Sequence, residues 1–153
     1  MKQINSYINE KLVINKDIKA YTCHPKDWHE LRDILEERLK ENKDADLNDI
    51  DVSKVKDMSN LFMDLNPHNI KIDEWDVSNV EDMSCMFYAC SEFNCNLSKW
   101  KINKVENMYC MFFKCENFKG EGLENWKVNS NIDIRYMFDG CTSLKNKPSW
   151  YKE

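Results

Sequence analysis

A 25-residue repeat constrains this chain more than any other feature of its sequence. Residues 51–58 recur as residues 76–83 and again as residues 101–108, so successive copies begin 25 residues apart. A fourth, degenerate copy begins at Lys127, 26 residues after the third. Self-similarity at a fixed period is typical of repeat architectures, in which each unit buries its apolar face against its neighbours.

Four columns of apolar residues keep the same register through the repeats. Each column places one residue type at equivalent positions of successive repeats, as expected for side chains stacked from unit to unit. The columns are phenylalanine (Phe62, Phe87, Phe112, Phe138), tryptophan (Trp75, Trp100, Trp126, Trp150), cysteine (Cys90, Cys115, Cys141) and methionine (Met58, Met83, Met108). We expect these residues to form the core.

The period predicts an α/β fold, a short leucine-rich-repeat-like solenoid of about four 25-residue coils. Residues 83–90 place apolar side chains at i, i+3, i+4 and i+7, the spacing of one or two helical turns. Residues 93–97 then alternate apolar and polar side chains, as a half-buried strand does. The period is too short for the two-helix repeats of the ankyrin or tetratricopeptide type.

The chain is predicted to contain a capping segment ahead of its repeats. The two parts are residues 1–46, the capping segment, and residues 47–153, the repeats with a degenerate C-terminal coil. A hairpin is expected between residues 11–14 and 18–21. Pro25 suits the first turn of a helix that continues to about Asn42 and carries one apolar stripe.

Composition excludes several classes of partner. The net charge is −5, and lysines alternate with acidic residues, whereas a nucleic-acid groove needs clustered Lys and Arg. No stretch approaches the ~20 apolar residues of a membrane span, and the first residues lack the apolar region of a signal peptide. We therefore expect a cytoplasmic protein with neither nucleic acid nor a membrane as its direct partner.

The cysteines and histidines favour structural roles. The cysteine column has one thiol per repeat, whereas a zinc site needs closely spaced pairs that close a tetrahedron. Free cysteine is among the most buried residue types. Cys23 with His24 and His29 is the one Cys/His candidate, and no orienting group or second ligand pair lies near it in sequence. We expect no metal, no cofactor and no enzyme activity.

Variable positions between the columns supply a candidate partner-binding face. These positions are Asn94, Asn96 and Ser98 in one repeat and Lys119, Glu121 and Glu124 in the next. If side chains alternate as in strands, all six point outward and form one face, and repeat proteins commonly bind through such extended faces. Two alternatives stay open: a merely solvated surface here, and a sugar-stacking platform along the tryptophan column.

The string W-D-V-S-N-V-E-D-M-S-x-M-F-x-x-C-x-x-F-N of residues 75–94 resembles the repeat of the BspA-like leucine-rich-repeat surface-protein family. The resemblance covers residues 47–150 and weakens in the first and fourth repeats. It implies a curved scaffold for protein–protein or cell-surface adhesion, without enzyme activity. Family members are often long and exported, whereas this chain is short and shows no signal.

Function is therefore predicted to be non-enzymatic protein binding. The specific hypothesis is an intracellular binder or inhibitor of a bacterial protein, encoded by a phage or another mobile element. The alternative is a structural or adhesive repeat protein of the surface-protein type that self-associates.

Overall fold

The computed structural model describes residues 20–152, and most of this backbone is built from turns. It contains one α-helix, α1 (Trp28–Glu41), and one short 3₁₀-helix (Leu123–Asn125). Successive repeats meet through isolated parallel bridges, of which Asp57 to Asp82 and Asp82 to Asn107 are examples. Among the described residues no helix is long and apolar enough to cross a membrane.

The predicted α/β leucine-rich-repeat-like solenoid of four coils is wrong. Residues 20–152 contain no strand and no sheet, and both predicted elements of the repeat, at 83–90 and 93–97, are turns and irregular chain. Cys85 and Ala89 have φ angles of 53° and 56°. A right-handed helix cannot pass through such left-handed residues, so the apolar spacing comes from overlapping turns instead.

Backbone N–H groups of residues 83–90 donate hydrogen bonds alternately to the next repeat and to their own repeat. The N–H groups of Met83, Cys85, Phe87 and Ala89 donate to the carbonyls of Asn107, Tyr109, Met111 and Phe113, at 2.8 to 2.9 Å. The intervening N–H groups of Met86, Tyr88 and Cys90 donate to carbonyls three residues earlier in their own repeat, at 3.0 to 3.3 Å. Three of these seven donors therefore close turns, which prevents an extended strand, while the other four join the next repeat.

Left-handed residues recur at two positions in every repeat. They form one column of Asn60, Cys85, Cys110 and Tyr136 and a second column of Asp64, Ala89, Lys114 and Gly140. The non-glycine members have φ between 53° and 64°, in the region that costs a residue with a Cβ about 1–2 kcal/mol. Because Gly140 is the one glycine among them, bonding between repeats, rather than local preference, holds these turns.

The core contains a continuous stack of phenylalanine rings. Phe62 and Phe87 have ring centroids 4.9 Å apart, Phe87 and Phe112 are 5.5 Å apart, and Phe112 and Phe138 are 5.9 Å apart. All four rings are at most 3% exposed. Each repeat therefore covers the ring of its neighbour, and offset aromatic stacking adds to the area that is buried.

The tryptophan and cysteine columns also form hydrogen bonds between repeats. The indole Nε1 groups of Trp75, Trp100, Trp126 and Trp150 donate to carbonyls of the preceding repeat at 2.7 to 3.0 Å. The thiols of Cys115 and Cys141 likewise donate to the carbonyls of Phe87 and Phe112, each at 2.9 Å. These carbonyls already accept a turn hydrogen bond, so the two columns use their second lone pairs.

The helix α1 covers the first repeat with its buried residues Leu31, Leu35 and Leu39. It begins at Trp28 rather than in a turn at Pro25, because Asp27 is the N-cap and its side chain accepts hydrogen bonds from the free amides of His29 and Glu30. It ends with Asn42 as its C-cap. The predicted hairpin of residues 11–21 lies outside the described residues, apart from its last two.

Candidate functional site

The predicted partner-binding face is assembled from two adjacent segments. Lys119 donates its backbone N–H to Asn94 Oδ1 at 3.2 Å. A Cβ added at Gly122 would lie 2.4 Å from the Cβ of Ser98, so the backbones approach too closely for any other residue. Glu121 is exposed beside them. The structure thus brings together members of two repeats, as the register requires.

Several side chains of this face are occupied by bonds within the chain. Asn96 accepts from the backbone N–H of Ser98 at 2.9 Å and thereby closes a local turn. Glu124 accepts from the backbone N–H of Ser149 at 3.3 Å and from its hydroxyl at 3.1 Å. Much of this polar surface therefore links one repeat to the next.

Similar polar links run along the other repeats. Lys71 donates to Asp46 at 3.1 Å, Lys99 to Asp73 at 2.7 Å and Lys56 to Glu81 at 2.9 Å. The bond from Lys99 is the main reason why the pKa of Asp73 lies below its usual value. Such exposed pairs contribute little to stability because water and salt screen them, so their main effect is on the register between repeats.

Two pairs of aromatic side chains from the outward turns of successive repeats, together with one arginine, are here called the aromatic patch. Its residues are Tyr88, Tyr109, Phe113, Arg135 and Tyr136. Tyr88 and Phe113 stack with centroids 5.0 Å apart, and Tyr109 meets Tyr136 edge to face at 5.8 Å. The Arg135 guanidinium lies 5.6 Å from the Tyr109 ring centroid. Tyr136 is 53% exposed, and it is the one exposed large apolar side chain among residues 20–152.

Turns of the repeat place these residues outward. Within residues 83–90 the buried side chains are Met83, Met86, Phe87 and Cys90, so the positions between them face solvent. Tyr88 and Phe113 occupy one such position in successive repeats. Their shared register was the signal available in the sequence, and it was missed because the predicted face was drawn from a helix-and-strand unit.

The one Cys/His candidate is not brought together as a reactive group. His24 Nδ1 lies 3.3 Å from Asp51 Oδ2, while His29 Nδ1 lies 4.0 Å from Asp27 at the N-terminus of α1. Cys23 instead accepts from Arg38 at 3.9 Å. In the part of the chain that the structure describes, no group of three or more His, Cys, Asp or Glu side chains is placed to hold a metal ion.

Burial makes the column thiols poor nucleophiles. It raises the pKa of Cys90 to about 12 and that of Cys141 to about 11. The same cause raises the pKa of Cys115. Thiolates are the reactive form, so these groups stay protonated and inert near neutral pH.

One family model matches the chain, over residues 30–151, and its description is "Mycoplasma protein of unknown function, DUF285". The match includes most of α1 and all four repeats. No curated protein and no solved structure matches the chain. Because the matched residues make up most of its length, the chain belongs to the DUF285 family of Mycoplasma proteins of unknown function.

Proposed function

We propose that this chain is a protein-binding repeat module and that the aromatic patch is its contact surface. The exposure of Tyr136 carries the proposal, since its ring is held at the surface beside the Tyr109 ring, over which the Arg135 guanidinium lies. Tyrosine and arginine are among the residues that dominate binding energy at protein interfaces. Aromatic residues and arginine are also enriched at interface cores relative to the rest of the surface.

Packing of the patch favours binding further. Tyr88 and Phe113 already stack on each other, and Tyr109 already contacts Tyr136 and Arg135. Side chains that are ordered before binding lose less conformational entropy when a partner covers them. The patch can therefore be covered by a partner at a low cost in side-chain freedom.

The face of Asn94, Asn96, Ser98, Lys119, Glu121 and Glu124 is the weaker candidate. The side chains of Asn94, Asn96 and Glu124 accept hydrogen bonds from neighbouring repeats or turns, and a partner would have to replace these bonds. Exposed charges at an interface rim contribute little to affinity. We propose that the polar side chains of this face instead fix the register between successive repeats.

Resemblance of residues 75–94 to the BspA-like repeat supports the same class of function, because it implies protein–protein or cell-surface adhesion. A binding role of this kind requires no catalytic group. The aromatic patch supplies a specific surface for it, which the resemblance alone does not.

A site-specific photo-crosslinker tests the proposal. Benzoylphenylalanine is introduced at Tyr136 in one variant and at Glu124 in the matched control, and both are irradiated in lysate of the source cells. We expect a discrete heterologous protein to be cross-linked from position 136 and not from position 124. Cross-linking from position 124 alone would move the binding surface to the polar face.

Affinity for the captured protein then measures the contribution of the patch. The double variant Tyr109→Ala, Tyr136→Ala should bind about 30-fold more weakly or worse, the effect of a hot spot of ~2 kcal/mol. The control is Glu121→Lys, Glu124→Lys, with an expected change below about twofold. A larger loss of affinity in the Glu121→Lys, Glu124→Lys variant than in the Tyr109→Ala, Tyr136→Ala variant would refute the aromatic patch as the contact surface.

A further inference from the structure

Two cysteines outside the cysteine column occupy equivalent positions of successive repeats. Cys85 and Cys110 both lie in the left-handed region, with φ angles of 53° and 54°. Their carbonyls accept turn bonds from the N–H groups three residues later, each at 3.0 Å. The two residues therefore sit in the same turn of two adjacent repeats, and their side chains leave the backbone in nearly the same direction. We call Cys85 and Cys110 the outer thiol pair.

Stacked rings beside the outer thiol pair measure the separation of the second and third repeats. The Phe87 and Phe112 centroids lie 5.5 Å apart with 3° between the ring planes, and those of Tyr88 and Phe113 lie 5.0 Å apart with 10° between the planes. Nearly parallel rings mean that one repeat is related to the next by a translation of this length. The same translation relates the two cysteines, and it lies within the ~4.4–6.8 Å between the Cα atoms of a disulfide.

The two thiols of the pair are also close enough to act on each other. Burial raises the pKa of the Cys85 thiol, and the charge and hydrogen bonding of the Cys110 thiol raise it further. The Cys110 thiol is also the main cause of the raised pKa of the Tyr109 hydroxyl. The sulfur of Cys110 therefore lies near that of Cys85, on the side of the turns that carries the aromatic patch.

The cysteine column has the same repeat spacing but is protected from reaction. Cys90 and Cys115 are both 0% exposed, and their thiols donate to carbonyls of the preceding repeat at 3.3 and 2.9 Å. A disulfide between them would give up both hydrogen bonds in a place that an oxidant cannot reach. In the outer thiol pair, by contrast, Cys85 is half-buried and Cys110 is 5% exposed. One sulfur is thus accessible, and the second lies behind it.

We propose that the outer thiol pair is an oxidation site, at which Cys85 and Cys110 form a disulfide between the second and third repeats. The oxidant is a small disulfide such as oxidised glutathione. The Cys85 thiolate attacks one of its sulfurs, so a mixed disulfide forms and one glutathione thiolate leaves. The Cys110 thiolate then attacks the Cys85 sulfur and releases the second glutathione. The two protein thiols lose two protons and two electrons, which convert one oxidised glutathione into two reduced ones.

This bond would join two backbones that are already paired. The Cys85 N–H donates to the carbonyl of Tyr109, the residue before Cys110, at 2.8 Å. A covalent link across this junction closes a loop over one repeat and restricts the unfolded chain, so it stabilises the folded state. The proposal does not rest on the protein-binding function, because it involves no partner protein.

Peptide mapping of the full chain tests the proposal. The reduced chain is incubated with excess oxidised glutathione at about pH 8.5, where more thiolate is present than at neutral pH, and free thiols are then blocked with N-ethylmaleimide. We expect a disulfide-linked peptide pair that contains Cys85 and Cys110 and is lost on treatment with dithiothreitol. Two free thiols, or a Cys85 that keeps glutathione without closing the second bond, would overturn the proposal.

Serine variants separate the two steps. In Cys110→Ser the second attack is lost, so Cys85 should retain the glutathione adduct at least about tenfold more than in the wild type. Cys95→Ser is the matched control, since Cys95 is also half-buried but is not part of the pair, and it should form the disulfide as the wild type does. Equal retention of glutathione in Cys110→Ser and the wild type would show that Cys110 does not react.

Urea melts without reductant measure the effect of the bond on the fold. The oxidised wild type should have a higher urea midpoint than the reduced wild type, whereas the midpoint of Cys110→Ser should not rise after the same treatment. A lower midpoint in the oxidised wild type would mean that the repeats must be distorted to form the bond, which contradicts the separation inferred from the stacked rings.

Discussion

Replacing Ala89 with glycine tests the turn-built backbone directly. Ala89 is exposed and has φ of 56°, and its N–H donates to the carbonyl of Phe113 at 2.8 Å. The Cβ in this left-handed region costs about 1–2 kcal/mol, which glycine avoids. Glycine also gains freedom in the unfolded chain, which opposes the gain by about 0.4–1 kcal/mol. We expect the free energy of unfolding to rise by about 0.5–1 kcal/mol.

Urea denaturation measures this change, with an unchanged slope and a higher midpoint as the expected result. The melting temperature should rise by about 1–4 °C. Ala20→Gly is the matched control, because Ala20 is also exposed but lies outside the left-handed region. It should lower stability slightly, by about 0.5–1 kcal/mol at most.

The reverse substitution, Gly140→Ala, should destabilise the chain. Gly140 has φ of 80°, and an added Cβ would lie 3.1 Å from the Cα of Lys114 in the preceding repeat. The expected loss is about 1 kcal/mol or more. If Ala89→Gly lowers stability as much as Ala20→Gly does, the left-handed turns carry no strain and the reasoning is refuted.

Three other predictions concern the core and two ionisable sites. Phe87→Ala should lower the free energy of unfolding by about 3–5 kcal/mol in urea melts, and an unchanged melt would refute the ring stack. Because burial raises the pKa of Cys90 to about 12 and of Cys141 to about 11, both thiols should resist iodoacetamide at about pH 8 until urea unfolds the chain; rapid native labelling detected by peptide mass spectrometry would contradict this. The pKa of Asp49 is lowered, chiefly by a hydrogen bond from Thr22, so its contribution to stability is present above the unfolded pKa of about 3.9 and is lost as pH falls through the lower folded value. The urea midpoint should therefore fall more steeply below about pH 5 in the wild type than in Asp49→Asn. Parallel plots of midpoint against pH for the two proteins would contradict this role of Asp49.

Register was predictable from the sequence, whereas backbone conformation was not. A 25-residue period brings Phe87 beside Phe112 whatever the local conformation, because stacked repeats align equivalent residues. Spacing of i, i+3, i+4 and i+7 is shared by a helix and by a run of overlapping turns. Glycine would have marked the left-handed positions, but Cys85 and Ala89 occupy them. The α/β prediction failed at this point.

The start of α1 could have been placed correctly. Asp27 and Glu30 form the pattern of an N-cap followed three residues later by a glutamate, and Glu30 accepts from the backbone N–H of Lys26 at 2.9 Å. The prediction followed Pro25 instead. A capping pattern whose side chains bond free amides specifies a helix start more directly than a proline, which only tolerates the first turn.

One part of the aromatic patch, the contact of Tyr109 with Tyr136, could not be predicted from the sequence for a different reason. Tyr109 and Tyr136 are only roughly one repeat apart and occupy non-equivalent positions, so no column contains both. Their edge-to-face contact depends on the turn geometry that the sequence did not reveal. The hydrogen bonds from Trp28 and Arg32 to carbonyls of the first repeat could not be predicted either, because they join side chains of α1 to backbone groups.

In the function that we propose, stability and recognition use largely different atoms of this molecule. The indole N–H groups, the column thiols and alternate amides all donate to an adjacent repeat, so the forces that hold the chain together act between repeats. The rings of Tyr88 and Tyr136 also act between repeats, because Tyr88 stacks on Phe113 and Tyr136 meets Tyr109 edge to face. These contacts leave Tyr136 53% exposed. Exposed apolar area is unfavourable in water, and in the function that we propose a partner that covers the Tyr136 ring accounts for this exposure.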